Sequence, residues 1–221
     1  MFGYGGDDWL LQRALWILPL LLSLSIHEWA HARTAFQLGD DTAMRLGRMT
    51  LNPLAHIDPV GTLLLPLLGV PFGWARPVPI EPLRFHKGVS LRSGVALVAA
   101  AGPLSNLMLA FGSLVALALL GHFGPALVVE GTPARGLLES LVLLNLLLAC
   151  FNMLPFPPLD GSRVVDAVVP PRLGSTWRQL TRMGPVALVL VIVAPFFLGI
   201  SIFSVPIRWA QSLVRLVLGE T

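Results

Sequence analysis

The chain has 221 residues, 55% of them hydrophobic and 12% charged, with a net charge of +3. A soluble globular domain carries roughly 25% charged residues, so half that share, set in long apolar runs, excludes an ordinary soluble fold and indicates a polytopic membrane protein. The basic residues lie in the loops between those runs, which argues against nucleic acid as a partner and matches the positive-inside pattern.

The first apolar segment, Trp9–Phe36, reads as a long helix with Pro19 inside it. Asp7 and Asp8 stand where a signal peptide has basic residues, so this segment is expected to be retained. Val60–Trp74 is short for a crossing and is interrupted by Gly61, Pro66, Gly69, Pro71 and Gly73. Ser93–Leu120 and Gly136–Pro155 are each long enough to cross, and Gly184–Val205 is the last candidate. In Ile207–Leu218, Arg208, Gln211, Ser212 and Arg215 alternate with apolar residues at helical spacing, the pattern of an interfacial helix. The expected fold is all-α and polytopic: about four transmembrane helices, a re-entrant or β-like element and a C-terminal amphipathic helix. It forms one membrane domain over residues 1–221, with a core over about 9–165 and C-terminal helices over 184–218. The single Cys150 lies in an apolar run and gives no disulfide framework.

Chemistry enters with His27-Glu28-Trp29-Ala30-His31, near the end of the first apolar segment. Imidazoles four residues apart share one face of a helix and can grip one zinc ion, with the intervening Glu placed to act on water at the metal. Such a pattern arises about 0.0025 times in a shuffled chain of this composition. Charged groups at membrane depth cost about 2.5–3.5 kcal/mol each, so three ionisable residues within five positions point to use.

Two histidines need at least one more protein ligand and an open position for water. Asn152-Met-Leu-Pro155-Phe-Pro157-Pro158-Leu-Asp160-Gly161 supplies a candidate. The prolines end a helix, which frees Asp160 from helical geometry, and Gly161 allows a tight turn behind it. Ala101–Asn106 places small residues in a crossing helix and reads chiefly as close helix packing, with a reach of Asn106 to the site as the alternative. Asn145 reads as an interhelical hydrogen-bonder, His56 as a structural hydrogen-bonder, and Asp166 as a surface charge.

With these motifs together, the chain resembles the site-2 protease family of intramembrane zinc metalloproteases. The resemblance covers about residues 15–165, and the Asn152–Gly161 segment fits the family's N-x-x-P-x-x-x-x-D-G pattern at every fixed position. It implies one Zn2+ held by His27, His31 and Asp160, catalysis by Glu28, and a role for Asn152 near the reacting carbonyl. It also implies substrates that are transmembrane proteins or peptides, cut in or near their spans. The chain departs from the better-known bacterial members in showing no inserted PDZ domain and no nucleotide-binding domain. The rival reading is a non-catalytic zinc-binding membrane protein of the same fold.

For the histidine pair and Asp160 to meet, the C-terminal ends of their two helices must face the same side. Val60–Trp74 is then re-entrant or shallow, not a crossing. On that topology eleven Lys and Arg lie on one side and four on the other, which makes the first side cytoplasmic and places the site towards it in a multi-pass prokaryotic plasma-membrane protein. Gly73–Ile80 reads as an extended segment to which an unwound substrate adds as a strand, although Pro77 and Pro79 each remove a donor.

Overall fold

The computed structural model describes residues 9–64, 67, 73–86, 88–184, 186–187, 189–191 and 203–220. All regular structure among them is helical. Helix α1 spans Trp9–Gln37 and, at 29 residues, runs for about 44 Å, more than the roughly 30 Å hydrocarbon core of a bilayer. Among its buried side chains, Leu20, Ser23 or Leu24, His27, His31 and Ala35 recur at three- and four-residue steps and form one stripe. Pro19 lies within this helix, and the Ser23 hydroxyl donates to its carbonyl at 2.6 Å.

A short helix α2 follows at Thr42–Arg45. Helix α3, Leu91–Phe123, starts at Ser90, whose hydroxyl accepts from the Ser93 N–H at 3.1 Å. Helix α4 spans Pro133–Asn152. Both α3 and α4 are long and apolar enough to cross a membrane. Two short helices, α5 (Asp160–Val168) and α6 (Gly174–Arg182), precede the last described one, α7 (Ser204–Leu218).

The centre of the molecule is α3, which packs against α1, α4, α5 and α7. One apolar cluster joins Leu20 and Leu24 of α1 to Leu144 of α4 and to Ala75. A second joins Leu117, Val142, Ala210 and Val214 of α3, α4 and α7. A third, of Ala35, Phe85 and Val98, ties the loop before α3 to α1. Small residues at these contacts let the helices approach closely.

The structure bears on the sequence reading in three places. Helix α7 forms where an interfacial helix is expected, but its stripe of Pro206, Ala210 and Val214 is buried against the bundle. Arg135 at the start of α4 also clamps Glu220 just beyond α7 with two bonds of 2.6 and 2.9 Å. Residues 73–80 run as expected without helix, yet no strand ladder forms among the described residues. At the start of Val60–Trp74, Pro59–Leu64 is a π-helical turn with Asp58 accepting from the N–H groups of Val60 and Gly61. The rest of that segment, and with it the re-entrant expectation, lies largely outside the described residues, as does most of the predicted crossing Gly184–Val205.

Candidate metal centre

One turn separates His27 from His31 on the inner face of α1, and their Nε2 atoms stand 3.0 Å apart. Asp160 reaches them from the first turn of α5, its Oδ2 lying 3.2 Å from Nε2 of His27 and 3.3 Å from Nε2 of His31. Each of the three residues is less than a tenth exposed. The convergence requires the ends of α1 and α4 to face the same side, as the sequence argument demands. The path to Asp160 differs in detail: the prolines end α4 at Asn152, and Asp160 and Gly161 open a new helix where a turn is expected. Gly161 is needed for close packing, because a Cβ there would collide with the carbonyls of Met153 and Leu154.

The ring nitrogens have distinct partners. His31 Nδ1 lies 2.7 Å from the Val98 carbonyl. A carbonyl only accepts, so that nitrogen carries the proton and Nε2 keeps its lone pair. His27 Nδ1 lies 2.6 Å from Oδ1 of Asn106, whose amide nitrogen is committed to Asn145 at 2.7 Å. Here too the proton belongs on Nδ1. Two imidazole lone pairs and a carboxylate oxygen therefore face one another, an arrangement that repels unless a cation lies between them.

The spacing fits such a cation. Three donors held about 2.0 Å from one tetrahedral ion lie about 3.3 Å apart, against the 3.0, 3.2 and 3.3 Å found here. Nitrogen and carboxylate donors in this number suit zinc and leave its fourth position open.

Glu28 points to a different neighbour. Its Oε2 accepts from the backbone N–H of Val78 at 2.8 Å, across 50 residues of chain. The extended segment 73–80 is thereby laid beside the centre, and Arg48 secures it by donating to the carbonyls of Arg76 at 2.6 Å and Pro77 at 3.2 Å. Asn152 closes α4 and donates back to the Leu148 carbonyl at 3.0 Å, with no bond linking it to the histidines or Asp160. His56 is buried and donates to the Thr50 carbonyl at 2.8 Å, apart from the three donors, as a structural hydrogen-bonder should. Asp166 faces Arg92 at 3.7 Å on the exposed surface.

Two contributors, the Val98 carbonyl and the Val78 N–H, lie beyond the sequence reading, whereas Gly102 and Asn106 fall in the Ala101–Asn106 stretch that it singled out. Gly102 passes so close to the imidazoles that a Cβ would collide with His31 Nε2 and stand 2.6 Å from Cε1 of His27. The Val98 carbonyl and the Val78 N–H are backbone groups without a residue signature. Asn106, read chiefly as packing, bonds His27 directly, and Asn145 makes the interhelical bond expected of it.

Comparison with known proteins decides the family. The family model described as "Peptidase family M50" matches residues 125–195, the stretch that contains Asp160. Bacterial relatives carry the name "Putative zinc metalloprotease". YwhC of Bacillus subtilis (strain 168) is 42% identical over 180 residues, covering 81% of this chain and 80% of that protein. The chain belongs to peptidase family M50. Rip2 of Mycobacterium tuberculosis (strain ATCC 25618 / H37Rv) is 32% identical over 180 residues, 81% of this chain but 66% of its own length. No solved structure matches the chain. M50 is the site-2 protease family named by the sequence motifs, so the enzyme class and metal expected from them are those of the family.

Proposed function

We propose that this M50 chain is an intramembrane zinc metalloprotease that cuts peptide bonds in or near the transmembrane segments of other membrane proteins, at a site towards the cytoplasmic face. The observation that carries the reading is the convergence of His27, His31 and Asp160 on one point, with Glu28 on the same helix. Zinc held by these three residues supplies Lewis acidity, which makes a water acidic enough to lose a proton near neutral pH.

Glu28 is the general base in this reading. Val78 occupies Oε2, so the second carboxylate oxygen takes the proton from the attacking water and passes it to the leaving nitrogen. Burial keeps bulk water out and strengthens each of these interactions. Asn152 is assigned to the developing oxyanion. Its amide must first release the Leu148 carbonyl and rotate, which an approaching substrate carbonyl would reward with a stronger, charge-assisted bond. Segment 73–80 borders the site, and its remaining backbone groups are placed to pair with a locally unwound substrate.

Cleavage of a model transmembrane substrate by the full chain in detergent or nanodiscs tests the reading. Glu28→Gln should abolish cleavage, at least a 1,000-fold loss on the order of magnitude of removing a principal catalytic group, while one zinc per chain stays bound. Stoichiometric zinc in both proteins with equal cleavage would exclude Glu28 as the base. Zinc without cleavage by wild type across substrates would favour the non-catalytic reading.

A further inference from the structure

Three polar side chains with almost no exposure, Ser23, Asn106 and Asn145, sit inside the apolar bundle behind His27, and every one of their donors is used. Their bonds all run one way. His27 Nδ1 donates to Asn106 Oδ1 at 2.6 Å, and Asn106 Nδ2 donates to Asn145 Oδ1 at 2.7 Å. Asn145 Nδ2 donates to the Ser23 hydroxyl at 2.8 Å, and that hydroxyl donates to the Pro19 carbonyl at 2.6 Å.

The direction is fixed by groups that can only accept. The Pro19 carbonyl forces the Ser23 hydroxyl to donate, which leaves its lone pair for Asn145. The Leu141 carbonyl, 2.8 Å from Asn145 Nδ2, sets that amide independently. The Ser23 carbonyl, 3.4 Å from Asn106 Nδ2, does the same for the second amide. With both amides set, only an oxygen can face His27, and a proton on Nδ1 is the only assignment that satisfies the pair.

We propose that this Ser23–Asn145–Asn106 relay is a positioning device for the metal centre: it fixes His27 in the Nδ1–H tautomer and holds its ring so that the Nε2 lone pair faces the donors of His31 and Asp160. The inference rests on the metal-centre reading and deepens it. The relay draws on α1, α3 and α4 at once, so the three helices that build the core also set the ligand's electronic state. A hydrogen-bonded partner behind a metal-binding histidine orients the ring and raises its basicity, and its loss weakens metal binding by about 10- to 100-fold. His31 needs no such relay, because the Val98 carbonyl performs the same task directly.

The test uses full-length protein in detergent, with zinc affinity read by chelator competition and ligand geometry read from the electronic spectrum of the Co2+-loaded protein. Asn106→Leu should bind zinc about 10- to 100-fold more weakly and shift the cobalt bands. Asn106→Asp, which keeps an acceptor beside Nδ1, should recover most of the affinity. Asn145→Leu should lose less than Asn106→Leu. Ser113→Ala serves as the control: Ser113 is equally buried in α3 but bonds only to Leu109 of its own helix, so zinc affinity should not change. The relay is overturned if Asn106→Leu matches wild type in affinity and spectrum, or if Ser113→Ala loses as much as Asn106→Leu. Wild type taking up no zinc overturns the metal centre, and the relay with it.

Discussion

Gly102 determines how near α3 can come to the metal donors. Its missing side chain leaves the space that both imidazoles fill, and the same helix supplies the Val98 carbonyl one turn earlier and Asn106 one turn later. Gly102→Ala must push the rings or the helix aside. Overpacking of this kind costs about 1–3 kcal/mol, which should appear as roughly 5- to 150-fold weaker zinc binding in chelator competition, with helix content by circular dichroism unchanged. Unaltered zinc affinity would mean that the rings have room to move. At this scale the sequence reading is uneven for a physical reason. The spacing of His27, Glu28 and His31 carries its own geometry, because four residues make nearly one helical turn. The small residues of Ala101–Asn106 announce a close approach, but which side chains Gly102 meets is set by where α3 crosses α1, and no local pattern encodes that crossing.

The extended segment 73–81 has no ladder of its own and is held in place by side chains from elsewhere. Arg48 grips two of its carbonyls, Glu28 takes the Val78 N–H, and buried Asp40 takes the Glu81 N–H at 2.6 Å. Pro77 and Pro79 flank Val78 and leave its N–H the one donor of that tripeptide, and it is spent on Glu28. That explains why the segment is extended, as expected, without joining a sheet. Val78→Pro tests the contact by removing the donor at a position already restricted by its neighbours; it also removes a buried side chain packed with Ala32 and Ala43, so Val78→Ala, which keeps the N–H, is its packing control. A hydrogen bond to a charged group contributes about 1.5–3 kcal/mol, so kcat should fall by about 10- to 100-fold with zinc stoichiometry intact. An unchanged kcat would show that Glu28 needs no such anchor. Helix α7 teaches a related lesson. Its amphipathic pattern is legible in the sequence, but the pattern alone does not say whether the apolar stripe meets lipid or other helices. Here α3 and α4 cover it.

At the scale of the whole molecule, the described loops gather at two ends. The His86 N–H donates to the Leu38 carbonyl at 2.8 Å, Asp40 binds Glu81, and the Arg76 N–H donates to the His56 carbonyl at 2.9 Å. Residues before and after Val60–Trp74 are thus joined at the end where α1 finishes, α3 begins and Asp160 enters. The connection between α3 and α4, with the Arg135–Glu220 clamp, lies at the other. This arrangement was accessible from the sequence only because two polar clusters had to meet, a constraint that hydropathy alone does not supply. It leads to a definite expectation for orientation. Reporter fusions at residues 50 and 85 should fall on the same, cytoplasmic side, and one at residue 130 on the opposite side, following the bias of eleven basic residues against four. Opposite locations for 50 and 85 would require Val60–Trp74 to cross the bilayer. A crossing would place about 30 Å of hydrocarbon between His56 and Arg76, and between Asp40 and Glu81, pairs that are hydrogen-bonded here. It would also carry Val78 away from Glu28, so that single result would remove both the topology and the anchoring of the Glu28 carboxylate.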